Sequence, residues 1–166
     1  MNIIVLTIGC SGSSILVKML QQLGWRTPYS DKEYAECVPF RELNQKILQK
    51  TYQTKELYEL IEVFPSNPWV IKDPRLIMTF ATWKPILDNS KNCLLYLSRD
   101  ADKIENSLMR RGWGTVYNGK QHLYRRSMTT LQKLALQHLD SWSGPKIHID
   151  FNQLKSAISL FDIKRG

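Results

Sequence analysis

The stretch Gly9-Cys10-Ser11-Gly12-Ser13-Ser14 combines two glycines with three hydroxyls. Glycines let the backbone turn sharply and aim successive N–H groups at one point, and hydroxyls add donors, so a turn of this composition makes a nest for a phosphate-like anion. The chemistry needs a helix behind the turn, because the first N–H groups of a helix have no intrahelical partner and its dipole favours negative charge there. The nucleotide-triphosphatase loop has the pattern G-x-x-x-x-G-K-[ST]. Here Gly9 is followed by Gly12 and by no Lys, which removes the usual contact to β- and γ-phosphates and argues against ATP hydrolysis. A turn that merely joins strand to helix is the plain alternative.

Two further cations stand where strands should end. Arg99 offers a planar fork suited to phosphate, and Ser107, two helical turns into the next helix, adds a hydroxyl. Two clamps on one ligand are implied; the alternative is an Arg-Asp pair in which Asp100 caps that helix. Lys72 follows a short apolar run and is placed to stabilise charge on a leaving oxygen without a metal, unless it is a solvated surface Lys. Asp73 and Arg75 read as a pair that holds their loop. Asp31, Glu33 and Glu36 are candidate general bases or exposed loop acids. Among His122, His138 and His148, His138 falls on an apolar stripe and reads as a core histidine.

The elements that must position these residues alternate between strand and helix. Asn2 to Ile8 is a β-branched run of the kind buried on both faces of a sheet. Ile15, Leu16, Met19, Leu20 and Leu23 then recur at helical spacing until Gly24. Phe40, Leu43, Ile47 and Leu48 mark a second helix, and Leu57, Leu60, Ile61 and Phe64 a third that ends at Pro65. Trp69-Val70-Ile71 is the second strand; Leu76 to Leu87 is helical up to an irregularity at Pro85; Cys93 to Leu97 is the third strand; Asp100 to Arg111 is a polar-faced helix. A long helix from about Lys120 carries Tyr124, Met128, Leu131, Ala135, His138 and Trp142, followed by a strand over Lys146 to Asp150 and a helix over Leu154 to Phe161. The expected fold is α/β: a single domain over residues 1–166, three layers of P-loop type, with a mainly parallel central sheet of four or five strands flanked by helices.

Length and composition agree with one domain. The chain has 166 residues, 43% hydrophobic and 23% charged, which is ordinary for a globular protein. Lys plus Arg number 23 against 15 Asp plus Glu, and the net charge of +8 points to an anionic partner. The basic residues are spread along the chain with no dedicated arm, so a discrete anion pocket is expected rather than a nucleic-acid surface. Cys10, Cys37 and Cys93 form neither a disulfide framework nor a zinc pattern. With no long apolar segment and no Lys or Arg before the short run Ile3 to Ile8, neither a membrane span nor a secretory leader is expected, and the setting is read as cytoplasmic.

Three segments in order resemble the sulfotransferase family that uses PAPS (3′-phosphoadenosine 5′-phosphosulfate). Ile8 to Ser14 resembles that family's loop around the 5′-phosphosulfate; Val70-Ile71-Lys72-Asp73-Pro74-Arg75-Leu76 with Trp83 is similar to its K-D-P-R-L element; Leu97-Ser98-Arg99-Asp100 with Ser107 resembles the segment that grips the 3′-phosphate. A fourth, Ile147 to Leu154, looks like its late strand and Y-E-D-L turn. The resemblance implies transfer of a sulfuryl group from PAPS to a hydroxyl or amine on a small molecule, glycan or peptide, leaving adenosine 3′,5′-bisphosphate. It also implies that Gly9, Cys10, Ser11, Gly12, Ser13, Ser14, Arg99 and Ser107 bind the donor. Lys72 is then catalytic, and Glu36, in a stretch resembling the start of the family's acceptor site, is the base. Cys10 stands where many members have Lys or Arg, and Ala101 replaces the Pro of R-D-P. The same loop also admits a nucleotide or nucleoside kinase, or a non-catalytic module that binds nucleotide or polyanion. Trp113, in a Gly-flanked loop, is a candidate for stacking on adenine or lining the acceptor cleft.

Overall fold

The computed structural model describes residues 1–31, 33–66, 68–111 and 126–158. Eleven elements follow in the order β1 (Asn2–Thr7), α1 (Ser13–Gln22), α2 (Val38–Gln49), α3 (Thr54–Glu62), β2 (Val70–Lys72), α4 (Leu76–Leu87), β3 (Asn92–Ser98), α5 (Ala101–Arg110), α6 (Met128–Ser141), β4 (Lys146–Asp150) and α7 (Phe151–Ile158). The sheet has four strands in the order β2-β1-β3-β4, all parallel. The α/β fold read from the sequence is therefore present.

Parallel strands must be covered on both faces, and the sequence supplies apolar residues for both. Ile4, Leu6, Leu94 and Tyr96 face a large core with Phe40 of α2, Leu57 of α3, Phe80 and Trp83 of α4, Ile104 of α5 and Leu131 of α6. Ile3, Val5, Leu95 and Leu97 face a smaller core with Leu16 and Val17 of α1 and Leu154 of α7. Helices thus lie on both sides of the sheet. Cys37 and Cys93 are buried free thiols, and burial pushes Cys37 up to about 11 and Cys93 upward as well, so both stay protonated at neutral pH.

Registers fix the site. Val5 pairs with Lys72, Thr7 with Leu97, and Ser98 with Asp150, so the carboxyl ends of all four strands open on one edge. In open parallel sheets that edge is where ligands bind. Two of the departures from the expected boundaries have a clear local cause. α7 starts at Phe151, three residues before the apolar pattern begins, because Asp150 and Gln153 satisfy its first turn: Asp150 accepts from Asn152 N–H at 2.8 Å and Gln153 Oε1 from Asp150 N–H at 2.8 Å. α4 runs through Pro85 to Leu87, since Pro in the last turn removes one N–H, that for Ala81 C=O, and leaves the rest of the helix intact. The expected helix start near Lys120, together with Tyr124, His122 and Trp113, lies outside the described residues. No described helix is long and apolar enough to cross a membrane.

Candidate functional site

The turn after β1 has the backbone the glycines allow. Gly12 has φ 93°, the left-handed region that a Cβ disfavours, and it caps α1 with no side-chain hydrogen bond. α1 has no acidic residue in its first turn, so its positive end faces the turn uncompensated. Cys10 also lies in the left-handed region, at φ 64°. Side chains divide by direction. Ser11 is fully buried and hydrogen-bonds Thr7, which fastens the turn to the strand end. Ser13 is buried, and Ser14 faces the opening, donating to Tyr34 C=O at 3.0 Å.

Lys72 reaches the turn from β2. Its side chain is 3% exposed, and Nζ donates to Ser14 Oγ at 3.2 Å and to Glu36 Oε1 at 3.0 Å. The surface-lysine alternative is therefore excluded. Lys72 and Glu36, singled out separately in the sequence, form one buried ion pair beside the loop. Burial of a charge demands such a partner. Glu36 is itself steadied from α2, where Arg41 Nη1 lies 3.7 Å from its Oε2 and 2.9 Å from Asp31 Oδ2. Asp31 also accepts from Tyr34 N–H at 2.8 Å and Glu36 N–H at 3.3 Å. Asp31 is thereby occupied in shaping the segment that presents Glu36. Glu33 is exposed, and its hydrogen bond to the Tyr34 hydroxyl raises the pKa of that phenol.

Arg99 reaches the turn from the opposite side, at the end of β3. Its Nη1 donates to Cys10 C=O at 2.7 Å and its guanidinium lies 4.6 Å from the centre of the Phe151 ring. Its Nε is buried with no partner, a donor free for an acceptor. Gln132 Nε2 on α6 donates to Arg99 C=O at 2.6 Å. Asp100 caps α5, accepting from Lys103 N–H at 3.1 Å, so the Arg-Asp pair divides its work between loop and helix. Ser107 is half-buried on α5, and no described hydrogen bond joins it to Arg99 or the turn.

The loop after β2 is held by a hub that the sequence did not announce. Asn44 of α2 donates to Asp73 Oδ2 at 2.9 Å, and its Oδ1 accepts from Thr79 Oγ1 at 2.6 Å and Trp83 Nε1 at 2.8 Å. Asp73 also pairs with Arg75 Nη1 at 3.0 Å, as expected. One turn of α2, two of α4 and the residue after β2 are thus locked behind Lys72. An Asn amid the apolar residues of a helix was the available signal, since a buried amide must find partners. The two described histidines are accounted for by packing: His138 stacks on Phe80 at 4.4 Å and its Nε2 lies 2.9 Å from Ile77 C=O, while His148 stacks on Tyr96 at 4.9 Å. Among the described residues no group of three His, Cys, Asp or Glu is placed to hold a metal ion.

The turn is flanked by two cations of different character. Lys72 is a buried point charge at one flank, and Arg99 a planar fork at the other.

Comparisons add little to that geometry. No family model and no curated protein matches the chain. Among solved structures it is similar to the YorR protein of Bacillus subtilis, crystallised in complex with phosphorylated GDP. The match has 14% identity and a TM-score of 0.49, and covers 98% of this chain and 96% of that one.

Proposed function

We propose that the chain binds PAPS at the Gly9–Ser14 turn and transfers its sulfuryl group to a hydroxyl or amine, as a member of the PAPS-dependent sulfotransferases. The observation that carries this reading is the convergence of Lys72 and Arg99 on the turn from β2 and β3, 3.2 Å from Ser14 Oγ and 2.7 Å from Cys10 C=O. A ligand with phosphate groups at two separated positions matches two flanking cations better than a triphosphate does, and the turn has no Lys for β- and γ-phosphates.

In this reading the turn's N–H groups and the start of α1 hold the 5′-phosphosulfate, and Arg99 takes the 3′-phosphate through its unpaired Nε edge. The acceptor atom attacks sulfur, the bond from sulfur to the bridging oxygen breaks, and that oxygen leaves on adenosine 3′,5′-bisphosphate. Lys72 stabilises the charge that builds there. As its Nζ turns to the leaving oxygen, Glu36 is released from the pair and its carboxylate takes the acceptor's proton. Base and cation are coupled, so the carboxylate is freed as the ammonium turns to the leaving oxygen.

The Lys72–Glu36 pair also favours a second reading, a non-catalytic module that binds the bisphosphate and leaves Lys72 neutralised. Isothermal titration with adenosine 3′,5′-bisphosphate tests both. The wild-type chain should bind, and Arg99→Ala should weaken binding about tenfold to a hundredfold, the range for a charge-assisted hydrogen bond. Absence of binding at millimolar ligand, or binding unchanged by Arg99→Ala, overturns the site. Binding without sulfuryl transfer from PAPS to simple alcohol, phenol or amine acceptors selects the module.

A further inference from the structure

Phe151 belongs to the segment Ile147 to Leu154, whose resemblance assigned it no role, yet its one ring touches both halves of the anion site. A Cβ built at Gly12 would lie 2.7 Å from Phe151 Cδ2 and closer still to Cε2, so the ring rests directly on the turn's second glycine. The guanidinium of Arg99 sits 4.6 Å from the centre of the same ring. Phe151 opens α7 directly after β4, and α7 is anchored by Leu154 in the smaller core. The ring is therefore carried on a fixed element and does not float with the loop.

We propose that Phe151 is a positioning residue that acts through Arg99 and Gly12, holding the guanidinium and the turn at one spacing so that two phosphate groups of one ligand are gripped together. The inference rests on the donor-site reading above. Arg99 has a side chain with several rotatable bonds, and its Nη1 contact to Cys10 C=O fixes only one end of the fork. A π-face under the guanidinium fixes the plane. The plane decides which way the Nε edge points, and that edge is buried without a partner. Gly12 is the complementary half: no side chain other than hydrogen leaves room for the ring, so the glycine serves the ring as well as the left-handed backbone.

The readout is discrimination, which lost packing alone leaves in place. The ratio of affinities for adenosine 3′,5′-bisphosphate and AMP reports the grip on the 3′-phosphate, and titration calorimetry at fixed salt gives both. Phe151→Leu should lower that ratio about tenfold toward the value for Arg99→Ala, as expected for loss of a partly desolvated cation–π contact. Phe151→Tyr, which keeps the π-face, should restore it. In an Arg99→Ala background Phe151→Leu should change the ratio no further. If Phe151→Leu unfolds, Phe151→Met supplies a side chain of similar volume without a π-face, and thermal melts verify that each titrated variant is folded. A ratio that stays at the wild-type value in a folded Phe151→Leu or Phe151→Met chain, with Arg99→Ala still lowering it, overturns the inference alone. A wild-type chain that binds neither ligand, or binds both equally, overturns the donor-site reading and this inference with it.

Discussion

Replacing Glu36 by Gln removes one charge from a buried pair while keeping shape and one acceptor oxygen. Taking away one partner of a buried ion pair costs about 3–5 kcal/mol. The amide oxygen retained by Gln still accepts from Lys72, and one hydrogen bond to a charged group restores about 1.5–3 kcal/mol. The net loss should be about 2 kcal/mol, or a fall of about 4–8 °C in Tm for a chain of this length. Ligand affinity should move the other way. Glu36 Oε1 and Ser14 Oγ both contact Lys72 Nζ, at 3.0 and 3.2 Å, so an anion on the Ser14 hydroxyl sits about 6–9 Å from the carboxylate. At an effective dielectric of about 20 their repulsion is about 2–3 kcal/mol before salt screening and about 1–2 after it. Glu36→Gln should therefore bind adenosine 3′,5′-bisphosphate about tenfold more tightly. Differential scanning fluorimetry with and without the bisphosphate reads both effects, and ligand should close the gap in Tm between variant and wild type. If Glu36→Gln melts with the wild-type chain and binds no more tightly, the pair is not the counter-ion arrangement described. Turnover separates the second role: as the base, Glu36→Gln should bind better yet transfer more slowly.

Asn44→Leu should cost about 3 kcal/mol, because it strands the Trp83 N–H and one oxygen of Asp73 in the core; urea denaturation that shows a loss under about 1 kcal/mol would refute the hub. His138 gives a pH dependence. Burial lowers its pKa below the ordinary 6.5, with its bond to Ile77 C=O opposing. Below about pH 6.5 the unfolded chain binds a proton that native His138 refuses, so stability falls as the pH drops through that window. Tm should rise from about pH 5 to pH 7, and His138→Gln should flatten the rise.

Most of the fold was legible because periodicity and breakers mark it directly. β4 matches at both ends, and β1 and β3 differ from expectation by one residue at an end, since short apolar runs bounded by Gly, Asn or Arg leave little choice. α7 was misplaced because its start is set by the polar bonds of Asp150 and Gln153, which carry no hydrophobic period. Residues at strand ends were also legible: Gly9–Ser14, Lys72 and Arg99 do meet. What the chain alone withheld is how they meet. Nothing in the spacing of Glu36 and Lys72 announces an ion pair across two elements, and nothing near Phe151 announces that its ring belongs to Gly12. Those contacts are long-range, and only the register of a parallel sheet specifies them.

The register also imposes an order of assembly during synthesis. β1 sits in the middle of the sheet, and Asn2 pairs with Asn92, so β1 has no partner on that side until β3 has emerged. At roughly 5–20 residues per second that interval is on the order of 5–20 s. The ring that seats Gly12 comes later again, with residue 151. The anion turn is thus made long before the residues that give it its shape, and a chain dominated by such distant pairings should fold slowly for its size.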